Sequence, residues 1–261
     1  MLAWVLLSLC TATTPTELFS HDLWDQVLAQ HVSDDGFVDY AAVREDERFA
    51  AYLEGLRTAE PDKMPGDAHR LAFWINAYNA LTIRGVLAHL PEDPKDWPAF
   101  KATDVQVDDK TLWQGMAFEV AGRQLTLDQI QHDIIRATPG LRDPRIHVAL
   151  TCAARGGPPL MNEAFVADRL NRQLYARMRK QVNDSNRSQF DLGSRSVRLC
   201  RVFDWYKEDF ANPQFNPHAS SVPDFISRYV DDEGLARSLR SDRWTVQYED
   251  FDWRLNLRRR S

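Results

Sequence analysis

Residues 68–90, AHRLAFWINAYNALTIRGVLAHL, constrain this chain more than any other stretch. Leu71, Trp74, Ile75, Tyr78, Leu81 and Thr82 recur at helical three/four spacing, and Phe73, Ala77 and Ala80 widen the apolar surface. A helix that is apolar on most sides has to be enclosed by other elements, so the fold must be built around it. Asp67 is placed to cap its start, and Pro91, Pro94 and Pro98 follow its end. Asn76 and Asn79 break the pattern. A buried amide without partners costs about 1–3 kcal/mol, so each must be hydrogen-bonded. They either tie the helix to neighbouring backbone or orient a catalytic imidazole or a substrate.

Residues 127–159 carry the reactive side chains. The order there is a helix with His132, a buried strand over 145–150 that includes His147, then Cys152 in a loop with Gly156 and Gly157. A thiol becomes a nucleophile when an imidazolium or converging backbone N–H groups lower its pKa. A glycine-rich loop can aim such N–H groups inward as an oxyanion hole. His132 is the preferred base. His147 is five residues before Cys152, and strand alternation would put the two on opposite faces, so it is the alternative base or a supporting residue. Against this stands the plain reading, in which a cysteine ending a buried strand is inert core. A metal held by His132, His147, Cys152 and Asp133 or Glu163 has no recognisable ligand spacing, so no metal and no cofactor are expected.

At 261 residues with 44% hydrophobic side chains, the chain can bury a sizeable core. A net charge of −6 argues against a nucleic-acid partner, despite the terminal Arg258, Arg259 and Arg260. The apolar run from Leu2 to Leu9 has the length of a signal-peptide core, and small residues follow it. Residues 1–14 therefore read as an export signal, for a periplasmic or secreted chain. A membrane attachment arises only if Cys10 is lipidated. Cys152 and Cys200 would be the remaining cysteines, too few for a disulfide framework.

The other expected elements are helices over 18–32, 44–57, 164–183, 204–210, 222–230 and 232–239. A hairpin should turn at Ala121-Gly122, two strands should flank Gly193 within 190–203, and 245–248 should be a last strand. The fold class that follows is α+β. A helical N-terminal half packs on a mixed or mostly antiparallel sheet containing 145–150, 197–202 and 245–248, in one domain over 18–256. The helix with Asn76 and Asn79 should lie on the sheet face near Cys152.

Five motifs, LAFWINAYNALTI (71–83), LDQIQHDIIR (127–136), DPRIHVALTCAARGGPPL (143–160), FDWYKEDF (203–210) and YEDFDWRLN (248–256), occur in the order found in the DUF547 family. The chain resembles that family, a domain of unknown function with bacterial and plant members. The resemblance implies that His132 is the family's motif histidine and Cys152 its motif cysteine, and that His147 matches a histidine frequent in bacterial members. Gln131 stands where the family usually has Glu, and Gly157 where many bacterial members have a second Cys. Losing that second Cys leaves Cys152 as the single thiol of the loop.

The expected function is an exported cysteine-dependent hydrolase or acyltransferase acting on peptide or amide bonds of an unidentified peptide or small molecule. By analogy with papain-like enzymes, Cys152, His132 and Asn76 or Asn79 would form the triad. The rival expectation is a non-catalytic cell-envelope interaction module. An accessible Cys152 with an imidazole in reach separates the two.

Overall fold

The chain winds its first helices round the long apolar one. A computed structural model describes residues 19–215, 218–241 and 243–258. Helices α1 (Asp22–His31), α2 (Tyr40–Glu45) and α3 (Glu47–Thr58) precede α4 (Asp67–His89). Every residue of α4 from Leu71 to Ile83 is buried, Asn76 and Asn79 included. Each large side chain there contributes about 1.5–3 kcal/mol by leaving water. Gly66, not Asp67, is the N-cap of α4, while the Asp67 carboxylate pairs with Arg70. The stretch expected as one helix over 44–57 is divided at Asp46, whose carboxylate takes the Arg48 N–H and starts α3 anew.

Strands β1 (Gln106–Val107) and β2 (Lys110–Thr111) form a short ribbon, and α5 (Leu112–Gly115) leads to the hairpin β3 (Ala117–Val120) and β4 (Arg123–Thr126). Ala121 and Gly122 have φ of 52° and 66°, the left-handed pair that a tight hairpin turn requires. A capping box of Thr126 and Gln129 opens α6 (Leu127–Gln129), which continues as a π-helix over Ile130–Arg136.

The strand expected over 145–150 is not formed. Pro144–Val148 is a 3-10 helix, started by Asp143, whose side chain accepts the Arg145 N–H at 2.9 Å. Residues 146–150 are all buried, and a continuous apolar run has no period to separate strand from helix. The helix expected from 164 begins later, as α7 (Leu170–Asn183). Side chains satisfy the preceding extended backbone instead. Asp25 takes the Ala164 N–H, Asn76 that of Phe165 and Gln173 that of Val166.

Strands β5 (Ser188–Asp191) and β6 (Ser196–Leu199) pair antiparallel. After α8 (Val202–Trp205), α9 (Lys207–Ala211), α10 (Val222–Ile226) and α11 (Glu233–Ser241), β7 (Thr245–Tyr248) joins β6 in parallel. The architecture is α+β in one domain, helical first and with its small sheets later. Among the described residues two apolar cores result. One surrounds α4; the other joins β6 to the C-terminal end of α7 and to α8–α11. Thus α4 reaches the Cys152 loop, as expected, but the mixed sheet packs in the second core. The segment before Cys152 lies at the seam: Ile146, Ala149 and Leu150 belong to the first core and Val148 to the second. Among the described residues no helix is long and apolar enough to cross a membrane. The expected export segment 1–14, Cys10, Arg259 and Arg260 lie outside the described residues.

Candidate active site

Asn79 builds the loop that carries the thiol. Its Nδ2 donates to the Ala149 carbonyl at 2.9 Å, and its Oδ1 accepts the Thr151 N–H at 2.8 Å. Asn76 makes the same pair of bonds with Phe165, at 2.7 and 3.0 Å. Both amides act as substitute peptide groups for irregular backbone pressed against α4. Neither bonds an imidazole.

Past Thr151 the chain reverses sharply. Ala153 has φ of 57°, a left-handed conformation that costs a residue with a Cβ about 1–2 kcal/mol. The C-terminal segment holds it in place. The Asn256 N–H donates to the Ala153 carbonyl, the Arg155 N–H to Arg254 and the Gly156 N–H to Asp252. Ala153 and Gly157 spend their N–H groups inside the loop, on Thr151 Oγ1 and the Ala154 carbonyl. The nearby N–H groups of Ala154 and Cys152 favour the thiolate. Burial opposes them and prevails, pushing the Cys152 thiol up to about 12. Cys152 as a residue is only half-buried, so it is the sulfur that lies deep. Gly157 closes this pocket. A Cβ on it would meet the Cys152 sulfur at 2.5 Å. Gly156 packs instead on the backbone of Asp252.

A second polar group lies at the same seam. The His147 side chain is fully buried, and its Nε2 is 2.7 Å from Asp209 Oδ2. An ionised carboxylate only accepts, so Nε2 carries the proton and Nδ1 presents a lone pair. Among the described residues that buried Nδ1 has no hydrogen-bond partner. Arg136 grips the same carboxylate with Nε and Nη2, both at 2.7 Å. Burial alone would raise Asp209, but the bonds from His147 and Arg136 outweigh it and hold the carboxyl down to about 2. Burial lowers the His147 pKa against the pull of Asp209, so the ring is neutral near pH 7.

His132 is engaged on both nitrogens. Arg136 Nη1 donates to its Nδ1 at 2.6 Å, and its Nε2 faces Asp128 Oδ1 at 3.4 Å. Neither His132 nor His147 hydrogen-bonds the Cys152 sulfur. Tyr206 connects the groups. Its ring stacks on His147 at 3.8 Å, and its hydroxyl bonds Gln131. Gln131 can still make this bond where a Glu is usual in the resembled family. Among the described residues no three His, Cys, Asp or Glu side chains gather to hold a metal.

An aromatic strip borders the loop. The space a Cβ of Gly157 would take is also 3.5 Å from Phe251. Phe251 packs on Trp253 at 4.3 Å, and Trp205 stacks over Trp253 at 5.6 Å while remaining 44% exposed. Trp113 meets Trp253 edge-on, and it hydrogen-bonds Tyr78. Sequence reasoning assigned no role to Asp209, Tyr206 or this strip. Their signal was present in FDWYKEDF and YEDFDWRLN, whose alternation of acids and aromatics is unusual for plain surface.

The family model described as "Protein of unknown function, DUF547" matches residues 61–182. The match contains Asn76, Asn79, His132, His147, Cys152 and the Gly156-Gly157 pair. Asp209, Tyr206 and the segment pinning the loop fall beyond it. No curated protein and no solved structure matches the chain. Residues 61–182, which hold α4, both histidines and the thiol loop, are thus similar to the DUF547 family.

Proposed function

We propose that this protein is a thiol-dependent acyl-transfer enzyme, a hydrolase or acyltransferase of peptide or amide bonds, with Cys152 as nucleophile. The observation that carries the reading is the loop. Its strained reversal at Ala153 leaves the Cys152 and Ala154 N–H groups near the thiol, where they favour the thiolate, while the other N–H groups are bound elsewhere. Converging N–H groups are what a developing oxyanion needs. His147 suits the base better than His132. It is neutral, oriented by Asp209, and has a lone pair with no partner; both nitrogens of His132 are taken. Asn76 and Asn79 then support the site by shaping backbone. In the resting state the thiol is protonated, and its proton moves to the base as the acyl group is attacked.

A second reading, a non-catalytic interaction module, is favoured by the burial that pushes Cys152 up to about 12 and by the lack of an imidazole bond to it. p-Nitrophenyl acetate separates the two. An enzyme transfers the acetyl group to Cys152, releases p-nitrophenolate, and shows one added acetyl on the Cys152 peptide by mass spectrometry. Cys152→Ala abolishes both signals. Acetylation spread over surface lysines, unchanged by Cys152→Ala, supports the module instead. Export through residues 1–14 is part of the proposal, and cell fractionation should find a shortened chain outside the cytoplasm.

A further inference from the structure

The second core has an opening at the edge of the mixed sheet. Among the described residues β7 pairs on one side only, with β6. Two N–H groups of this segment are bonded to the neighbouring strand: Thr245 to the Arg195 carbonyl and Glu249 to the Leu199 carbonyl. By strand alternation the backbone groups of Val246 and Tyr248 point the other way, along the outer edge. The four residues of β7, Thr-Val-Gln-Tyr, contain no proline and no charge. Those are the devices by which exposed edges are protected against added strands.

The edge adjoins a groove. Between β7 and helices α9 and α10 lies a cleft of about 590 Å³. Its walls are Ala211, Val222, Pro223, Trp244, Val246 and Tyr248. The Trp244 ring lines it, with its Nε1–H buried and, among the described residues, without a hydrogen-bond acceptor. The rim carries Lys207 and Arg243 against one acid, Glu208, a net positive balance. A strand laid along β7 would meet the outward N–H and C=O groups of Val246 and Tyr248. Its alternate side chains would enter the cleft.

We infer that the β7 edge and its cleft bind an extended peptide segment that pairs with β7 as an added strand, places apolar side chains in the cleft, and carries an acidic residue for the Lys207 and Arg243 rim. Backbone pairing supplies affinity, and the cleft with its rim supplies selectivity. The inference does not depend on the reading of Cys152.

Fluorescence polarisation on the full chain tests it. The probe is a fluorescein-labelled hexapeptide of alternating threonine and valine with an N-terminal glutamate. Saturable binding is expected. The same peptide N-methylated at alternate amides should bind at least about tenfold more weakly, since its side chains are kept and its strand donors removed. Val246→Pro removes an outward donor without touching the β6 ladder and should have the same effect. Thermal unfolding of that variant confirms that it is folded. Arg243→Glu, on the exposed rim, should weaken binding about threefold or more, and less so at high salt. No saturable binding, or equal affinity for the N-methylated peptide, overturns strand addition. Equal affinity of Arg243→Glu overturns the acidic ligand.

Discussion

Replacing Gly157 by alanine tests the packing of the thiol pocket. A Cβ there would lie 2.5 Å from the Cys152 sulfur, and 3.4 and 3.5 Å from the Ala154 carbonyl oxygen and Phe251. Favourable heavy-atom contacts lie near ~3.5–4.0 Å, so only the sulfur contact is far too short, by about 1 Å. The sulfur cannot easily retreat, because the loop is pinned by Asn79 on one side and residues 252–256 on the other. Overpacking of this kind costs about 1–3 kcal/mol. Cys152→Ala removes the clashing atom, so the two substitutions should be strongly coupled. In a double-mutant cycle read by urea unfolding, Gly157→Ala should destabilise wild type by about 1–3 kcal/mol and Cys152→Ala by much less. Additive effects, with a coupling below about 0.5 kcal/mol, would mean that Gly157 does not close on the sulfur.

Asn79→Ala strands the Ala149 carbonyl and the Thr151 N–H and should cost about 2–5 kcal/mol by the same unfolding measurement, beyond an exposed Asn→Ala change such as Asn162→Ala. Stability should fall as pH drops below about 6.5, because His21, held near 4 by burial, and His147 stay neutral while the unfolded chain takes up protons. His147→Gln should flatten part of that slope in melting temperatures between pH 7 and 4. A further loss follows from about pH 4 towards 2, where Asp209 titrates, and Asp209→Asn should remove it. Without an acyl donor, Cys152 should react with iodoacetamide far more slowly at pH 8 than an ordinary thiol of pKa about 8.5, and Cys200 should be protected similarly.

Helical periodicity over 71–83 was enough to place α4 in the core, and two amides inside that run were enough to demand backbone partners for Asn76 and Asn79. The hairpin at Ala121-Gly122 and strands β5, β6 and β7 were legible from alternation and turn residues. The 3-10 helix before Cys152 was not, since its apolar run has no period and its start depends on one side-chain bond from Asp143. That difference changes the site, because strand alternation had turned His147 away from the thiol and no such alternation exists. Asp209 was illegible for another reason. Its partners Arg136 and His147 are 73 and 62 residues away in sequence, and only the packing of α9 against the seam brings the three together. The parallel joining of β7 to β6 is likewise long-range, and no local signal encodes it.

The account rests on Cys152 being acylated with help from the buried His147–Asp209 pair. The most direct measurement is the first-turnover rate of p-nitrophenyl acetate on wild type, His147→Gln and His132→Gln, with folding of each checked by circular dichroism. Loss of a general base typically costs about 10²–10⁴-fold. His147→Gln should fall in that range, and His132→Gln should change the rate by less than about tenfold, with Cys152 remaining the acetylated residue. A larger loss in His132→Gln, or a first turnover that survives His147→Gln intact, contradicts the account.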